Sequence, residues 1–219
     1  MGVDVKVLAV SVGGPREVEW RGRLVRTSIF KTPVSGRARV ARLNIAGDEQ
    51  SDLTVHGGPE KAVYAYPGEH YPAWRRELPD AELGFGAFGE NLTIEGLLEA
   101  EVSIGDRFRI GTAEFAVTQP RMPCYKLGVH FDDPGMVQRF HQSGRNGFYL
   151  AVTREGEIGA GDAIELLARD PGGLTVADVI GLYVDDADKQ LLLERASLHP
   201  ALPAGWRDYF RKRLWAPDG

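Results

Sequence analysis

The sequence predicts a mainly β protein of α+β character: a closed or nearly closed antiparallel barrel with short helical inserts, then a small three-helix domain. Three observations carry this. Short runs rich in β-branched and aromatic residues recur between Gly, Pro and Asp breaks through the first two-thirds of the chain. Too few helical stretches separate them for a parallel βαβ sheet. After ARDPGG (168–173) the pattern changes to helical periodicity. Barrel closure is the economical arrangement of the strands, because it removes exposed sheet edges.

Taken in order, the strand-like runs are VKVLAVSV (5–12), LVRTSIF (24–30), RVARLN (39–44) and AVYAY (62–66). RFRI (107–110), EFAVT (114–118), FYLAVT (148–153) and AIELLA (163–168) follow. Gly-Asp turns in IGDRFRI (104–110) and AGDAIEL (160–166) each launch a strand. Two helical inserts are expected, GEHYPAWRREL (68–78) and DPGMVQRFHQS (133–143). The second opens with Asp133 as N-cap and Pro134 at the first helical position. In the tail, Thr175 can cap a helix whose stripe is Val176, Val179, Ile180, Tyr183 and Val184. A second helix follows Asp185 and Asp186 and runs through LLLERASL (191–198). A third starts near Pro203, with Trp206, Tyr209, Phe210 and Leu214 expected mostly as its core. The expected division is a barrel domain over 1–170 and a helical domain over 171–219.

Composition excludes several classes of function. A chain of 219 residues, 43% hydrophobic and 26% charged, can bury a core without covalent staples. Its net charge of −5 gives no basic field to recruit nucleic acid or an anionic membrane. Residues 170–219 hold six Lys and Arg against eight Asp and Glu. That balance argues against a helix-turn-helix reading of the tail, despite Arg211-Lys212-Arg213. The start MGVDVKVLAV lacks a signal-peptide pattern, and no run approaches the length of a membrane span. A cytoplasmic protein is expected. The single cysteine, Cys124, excludes an intrachain disulfide and any multi-cysteine zinc or iron–sulfur site.

Several stretches could carry chemistry. GFGAFGEN (84–91) contains G-x-G-x-x-G, but no strand precedes it and the strand-like NLTIEG follows, so a dinucleotide site is not expected. A tight loop is, its glycines allowing positive φ or close approach to the backbone. Glu90 and Asn91 at its exit face either a ligand or their own turn. In TVHGGPEKAVYAY (54–66), His56, Gly57, Gly58 and Lys61 form either an anion-binding loop or a plain turn. In KTPVSGR (31–37), Lys31 is either a ligand contact or part of a solvated hairpin tip. In QPRMPCYKLG (119–128), Arg121 and Lys126 flank Cys124. Nearby cations favour the thiolate, which attacks or binds soft metals, whereas a plain free cysteine is usually a buried hydrophobe. If 122–126 are extended, Cys124 and Lys126 share a side. Arg145, in SGRNGFY (143–149), is a phosphate contact or a surface residue. In a barrel, these basic strand ends can converge on one mouth, forming a pocket for a small anionic ligand with a thiol in it.

Taken together, KTPV (31–34), DLTVHGGPEKAVYAYP (52–67), GAFGENLT (86–93), IGDRFRIG (104–111), QPRMPCYKL (119–127), SGRNGFY and GEIGAGD (156–162) resemble the MOSC-domain family. That family is named for the C-terminal domain of molybdenum cofactor sulfurase. The order of the blocks and the tail most resemble the YiiM-type members, which end in a 3-alpha domain. The resemblance implies a β-barrel binding a pterin-type molybdenum cofactor (Mo-molybdopterin) in a positively lined cleft, with the Cys124 thiolate as molybdenum ligand and catalytic residue. It makes Lys31, His56, Gly57, Gly58, Lys61, Glu90, Asn91, Arg121, Lys126 and Arg145 candidates for holding the cofactor. The implied activity is reduction of N-hydroxylated compounds such as 6-hydroxylaminopurine to amines. With one cysteine and no iron–sulfur cluster, the chain would take electrons from a separate reductase, a flavoprotein by expectation. Homo-oligomerisation stays open. The alternative is a carrier of persulfide sulfur or of the cofactor, without turnover.

Overall fold

The computed structural model describes residues 4–49, 57–184 and 190–215. Strands β1 (Lys6–Val12), β2 (Arg16–Trp20), β3 (Arg23–Thr27), β4 (Thr32–Pro33), β5 (Arg37–Ala41), β6 (Asn44–Ile45) and β7 (Val63–Pro67) come first. Helix α1 (Tyr71–Glu77), β8 (Leu92–Glu95), β9 (Arg107–Ile110), β10 (Ala113–Pro120), α2 (Tyr125–Phe131) and α3 (Met136–Ser143) follow. The chain continues with β11 (Phe148–Arg154), β12 (Gly156–Gly159), β13 (Ile164–Ala168), α4 (Val176–Val184), α5 (Gln190–Leu198) and α6 (Ala204–Leu214).

Eight strands form one sheet in the order β13-β9-β10-β11-β7-β8-β1-β4. Its flanks meet across β1. The upper part of β1 pairs with β4, while its lower part bonds the approach to β13: Gly161 N–H to Val7 O at 2.8 Å, Val7 N–H to Asp162 O at 2.9 Å and Ile164 N–H to Val5 O at 2.9 Å. A smaller sheet, β12-β5-β6, and the separate hairpin β2-β3 complete the β structure. One pair, β7 with β8, is parallel, where the sequence suggested antiparallel pairing throughout. Parallel neighbours require a crossover. Here the crossover carries α1 and the glycine-rich loop, and so delivers that loop to the barrel mouth.

The strand patterns act through alternation. Inward residues such as Val7, Leu92, Phe108, Phe115 and Phe148 build one core. That core continues without a break into Val176, Val179, Ile180, Leu193, Ala196 and Phe210 of the tail helices. The chain turns into the tail through Arg169, bonded to buried Asp106 at 2.7 Å, and Asp170, which holds His199 at 3.0 Å. Thr175 caps α4 as expected: its Oγ1 accepts from Asp178 N–H at 3.0 Å, and Asp178 Oδ2 accepts from Thr175 N–H at 3.0 Å. A reciprocal cap of this type contributes about 1 kcal/mol.

Three local expectations are corrected. Tyr183, Val184 and Tyr209 are not core residues: they stand 39%, 50% and 38% exposed. Leu182 is buried in the stripe instead, because the tail lies against the barrel on a face rotated from the simple one. Gly135, not Asp133, is the N-cap of α3, and the Asp133 carboxylate accepts from the Gly135 N–H at 2.8 Å in a turn just before it. The segment 122–126 is not extended throughout, since α2 begins at Tyr125. A second, aromatic core backs this region. In it Trp74 and Phe140 stack at 5.7 Å and 6°, and the Trp74 indole donates to Tyr66 Oη at 2.6 Å.

Candidate functional site

A cleft opens at the barrel mouth where β3, the Pro59–Lys61 turn, β7, the end of β10 and the start of α2 come together. It encloses about 610 Å³ of empty space, solvent at its mouth included. Cys124, Lys31, Lys61, Arg121, Lys126 and Asn91 line it, with Tyr64, Tyr149, Asp48, Thr27, Ser28 and Ile29. Four basic side chains and the lone thiol thus come from three separate parts of the sequence, around Lys31, around Lys61 and over 121–126.

The local chain explains each placement. β10 ends in Pro120, and residues 121–124 leave the sheet. Cys124 takes extended geometry at the N-cap of α2, and its carbonyl accepts from Leu127 N–H at 2.9 Å. Lys126 therefore reaches the cleft from the first helical turn, not from a shared strand face. Arg121 is 5% exposed, with its guanidinium 5.1 Å from the Phe140 ring centroid and 5.4 Å from that of Tyr64. Such contacts stabilise a desolvated cation. Burial works against the Arg121 charge, and the acidic groups facing it oppose that effect, so its pKa stays above the usual value and it remains a cation. Its Nη1 is buried and has no hydrogen-bond partner among the described residues. Burial also raises the Tyr64 and Tyr149 hydroxyl pKa values, so both stay protonated beside it. Burial pulls the Lys61 pKa down; its turn is tied to β10 by Thr118 Oγ1, which donates to Glu60 O at 2.6 Å.

Lys31 is no solvated hairpin tip. Its side chain is 9% exposed and its ammonium donates to Asp48, while burial lowers its pKa against the opposing pull of that carboxylate. Asp48 also accepts from Gly13 N–H and Asn91 Nδ2, each at 2.9 Å. Asn91 in turn accepts from Tyr64 N–H at 3.1 Å, so one network fastens the cleft floor across β1, β7 and the chain after β6.

The remaining candidates lie elsewhere. Glu90 is fully buried and does not line the cleft. It accepts from Gly86 N–H at 2.8 Å, Phe88 N–H at 3.0 Å, Thr93 Oγ1 at 2.9 Å and Tyr71 Oη, which makes it the organiser of the glycine loop. Burial raises its pKa and these bonds oppose the rise. Gly86 and Gly89 adopt φ of +93° and +80°, and a Cβ there would lie 2.9 Å from Lys31 O and from Ile29 Cγ1. The close approach is to the segment between β3 and β4 that carries Ile29 and Lys31. Gly57 and Gly58 precede the Lys61 turn without lining the cleft. Arg145 pairs with Glu77 at 2.6 Å, over the Trp74 ring at 4.6 Å, and is also outside the cleft. His56 falls outside the described residues.

Sequence reasoning singled out neither Tyr64, Tyr149, Asp48 nor the Thr27–Ile29 wall. A buried Asp forty-three residues from Asn91 leaves no local spacing signal. The tyrosines read as ordinary strand residues, and α2, seven residues long, was hidden by the prolines before it.

This arrangement defines a class: a β-barrel protein with a cationic, thiol-bearing cleft for an anionic ligand. Comparison with known proteins makes it specific. Residues 52–165 match the MOSC domain, and residues 174–215 match the YiiM-like 3-alpha helix domain. The chain is 42% identical over 207 residues to the uncharacterized protein YflK of Bacillus subtilis, covering 94% of this chain and 93% of that one. It is 38% identical over 203 residues to protein YiiM of Escherichia coli, covering 86% and 90%. A protein named reductase from Gibberella moniliformis is 36% identical over 151 residues, covering 68% of this chain and 27% of that one. The crystal structure of YiiM from Geobacillus stearothermophilus superposes with a TM-score of 0.80 at 36% identity, covering 96% of this chain and 99% of that one. The chain belongs to the MOSC-domain family, with a YiiM-like helical tail. That family is associated with the molybdenum cofactor.

The cleft residues fit such a group. Among the described residues, no three His, Cys, Asp or Glu side chains are placed to chelate an ion alone. One thiolate suits a soft metal that arrives with ligands of its own. Lys61, Lys126 and the buried Nη1 of Arg121, without a partner among the described residues, suit a phosphate. Among the described residues, no helix is long and apolar enough to cross a membrane.

Proposed function

We propose that this chain is a reductase of N-hydroxylated compounds that works with the molybdenum cofactor held in the barrel-mouth cleft. The observation that carries the reading is the convergence of the lone cysteine with Lys61, Lys126 and Arg121, whose buried Nη1 has no partner among the described residues. The name of the fungal relative agrees with a reductive role.

In this reading, the Cys124 sulfur is the protein ligand to the metal. Arg121, Lys61 and Lys126 hold the phosphate of the pterin, with Arg121 stiffened by its aromatic bed. Lys31 is already satisfied by Asp48 and supports the cleft floor. The neutral Tyr149 hydroxyl serves as a hydrogen-bond donor at the wall, whereas that of Tyr64 already donates to Asn146 O at 2.8 Å. When bound, the group supplies a two-electron redox centre, and the protein positions and tunes it. The overall reaction is R–NH–OH plus two electrons and two protons, giving R–NH2 and water; the N–O bond breaks and two N/O–H bonds form. The electrons come from a separate reductase of the flavoprotein kind, because one cysteine cannot build an iron–sulfur cluster. The substrate is a small molecule such as 6-hydroxylaminopurine.

The test is metal and pterin analysis of protein made in a host that synthesises the cofactor. Near-stoichiometric molybdenum, lost in Cys124→Ser, and reduction of 6-hydroxylaminopurine by the holoprotein are expected. Molybdenum retained in Cys124→Ser refutes the ligand assignment. A labile extra sulfur on Cys124 in mass spectra, without reduction of any N-hydroxylated compound, would favour the carrier reading.

A further inference from the structure

A second groove lies beside the cleft, between the Pro59–Lys61 turn, β10 and helices α4 and α6. Glu60, Lys61, Gln119, Tyr183, Trp206 and Tyr209 line it. Lys61 lines both the groove and the cleft, so the two spaces share a wall.

Two features of the groove point to a ligand. Its helical side is aromatic: Tyr183 and Tyr209 have ring centroids 5.3 Å apart, and Tyr183 and Trp206 5.6 Å. Both tyrosines stay more than a third exposed, although they belong to the apolar stripes of their helices. Beside the aromatic wall β10 contributes Gln119, which is 5% exposed. The Trp206 indole N–H donates to Gln119 Oε1 at 2.8 Å. An indole nitrogen only donates, which fixes the amide orientation and makes the other amide atom a donor. That donor, Nε2, has no partner among the described residues. A buried, unsatisfied amide donor on a residue that lines an aromatic-walled groove suits a flat ring with acceptor nitrogens at its edge.

We propose that this groove is the ring-recognition subsite for a planar nitrogen heteroaromatic substrate, with Tyr183, Tyr209 and Trp206 as its contact wall and the Gln119 amide as edge donor. A ring seated there would direct its substituent to the Lys61 wall that the groove shares with the cleft. The assignment rests on the proposed reductase function for the chemistry of that substituent, but not for the binding of the ring. It also gives the helical tail a role in the site: α4 and α6 supply the specificity wall of a cleft built by the barrel.

The test separates binding from turnover. Adenine, a purine without the N-hydroxyl group, is titrated calorimetrically into cofactor-loaded wild type, Tyr183→Ala and Tyr209→Ala. Saturable binding to wild type, weakened roughly tenfold in the variants, is expected from the loss of base–aromatic contact. Molybdenum and pterin contents should be unchanged, which keeps the result distinct from cofactor loss. In turnover, the variants should raise KM for 6-hydroxylaminopurine with kcat retained, while N-methylhydroxylamine, which has no ring, is unaffected. Absence of adenine binding to wild type, or equal affinity in wild type and both variants, overturns the proposal. So does an equal KM rise for the ringed and ringless substrates. If wild type reduces neither compound, the reductase reading fails, and adenine binding that still depends on Tyr209 sustains the subsite.

Discussion

Protonation of His130 should weaken the helix behind the cleft, by an amount that follows from its surroundings. His130 sits in the last turn of α2, 4.7 Å from the Phe30 ring and 4.9 Å from that of Phe131. Its Nδ1 is buried without a partner among the described residues. Burial, with a smaller push from the Arg16 cation, lowers its pKa from 6.5 to about 4. The folded protein therefore favours neutral His130, and the unfolded chain binds the proton first as pH falls. Stability is lost from pH 6.5 downward to about 4. Linkage gives a loss of about 2 kcal/mol between about pH 7.5 and pH 5, and about 3 kcal/mol by pH 4. The assay is urea unfolding of wild type and His130→Phe at both pH values. Phe keeps the ring contacts and cannot titrate, so the difference between the proteins isolates this one group. The variant should gain about 2 kcal/mol on wild type on going to pH 5. Parallel pH dependence in the two proteins would refute the reasoning.

Other consequences are open to direct measurement. Asp48→Asn leaves the buried Lys31 ammonium without its counter-charge and should cost about 3 kcal/mol in chemical denaturation, partly recovered by adding Lys31→Met. Gly89→Ala forces a Cβ to within 2.9 Å of Ile29 Cγ1 at φ +80°. It should lower stability by about 1–3 kcal/mol, with Ile29→Ala relieving only the steric part. Arg121→Met should reduce the pterin retained per chain while the molybdenum-to-pterin ratio stays constant; Cys124→Ser should instead lower that ratio.

How far the sequence could be read varies with the range of the interaction. RFRI became β9 residue for residue, and Thr175 capped its helix as written, because alternation and capping depend on neighbours only a few positions away. The glycines of GFGAFGEN also declared a tight loop. Their spacing could not say that the loop would press on Ile29 and Lys31, nor that Glu90 would turn inward and collect the loop's amides. Arg145 sits among glycines and Arg121 among prolines, both in breaks between regular elements, yet one pairs with Glu77 and the other lies buried over two rings.

The sequence by itself determined the strand-rich barrel, the three tail helices, the family blocks and the chemical promise of a lone cysteine between Arg121 and Lys126. Those features rest on local periodicity, turn chemistry and residue type. Only the tertiary structure decided which cations share a cleft with that thiol, that Lys31 is held by Asp48, and that Tyr183 and Tyr209 remain open beside Lys61. Burial, charge pairing and shared walls are set by contacts between segments far apart in the chain, and no local pattern encodes them.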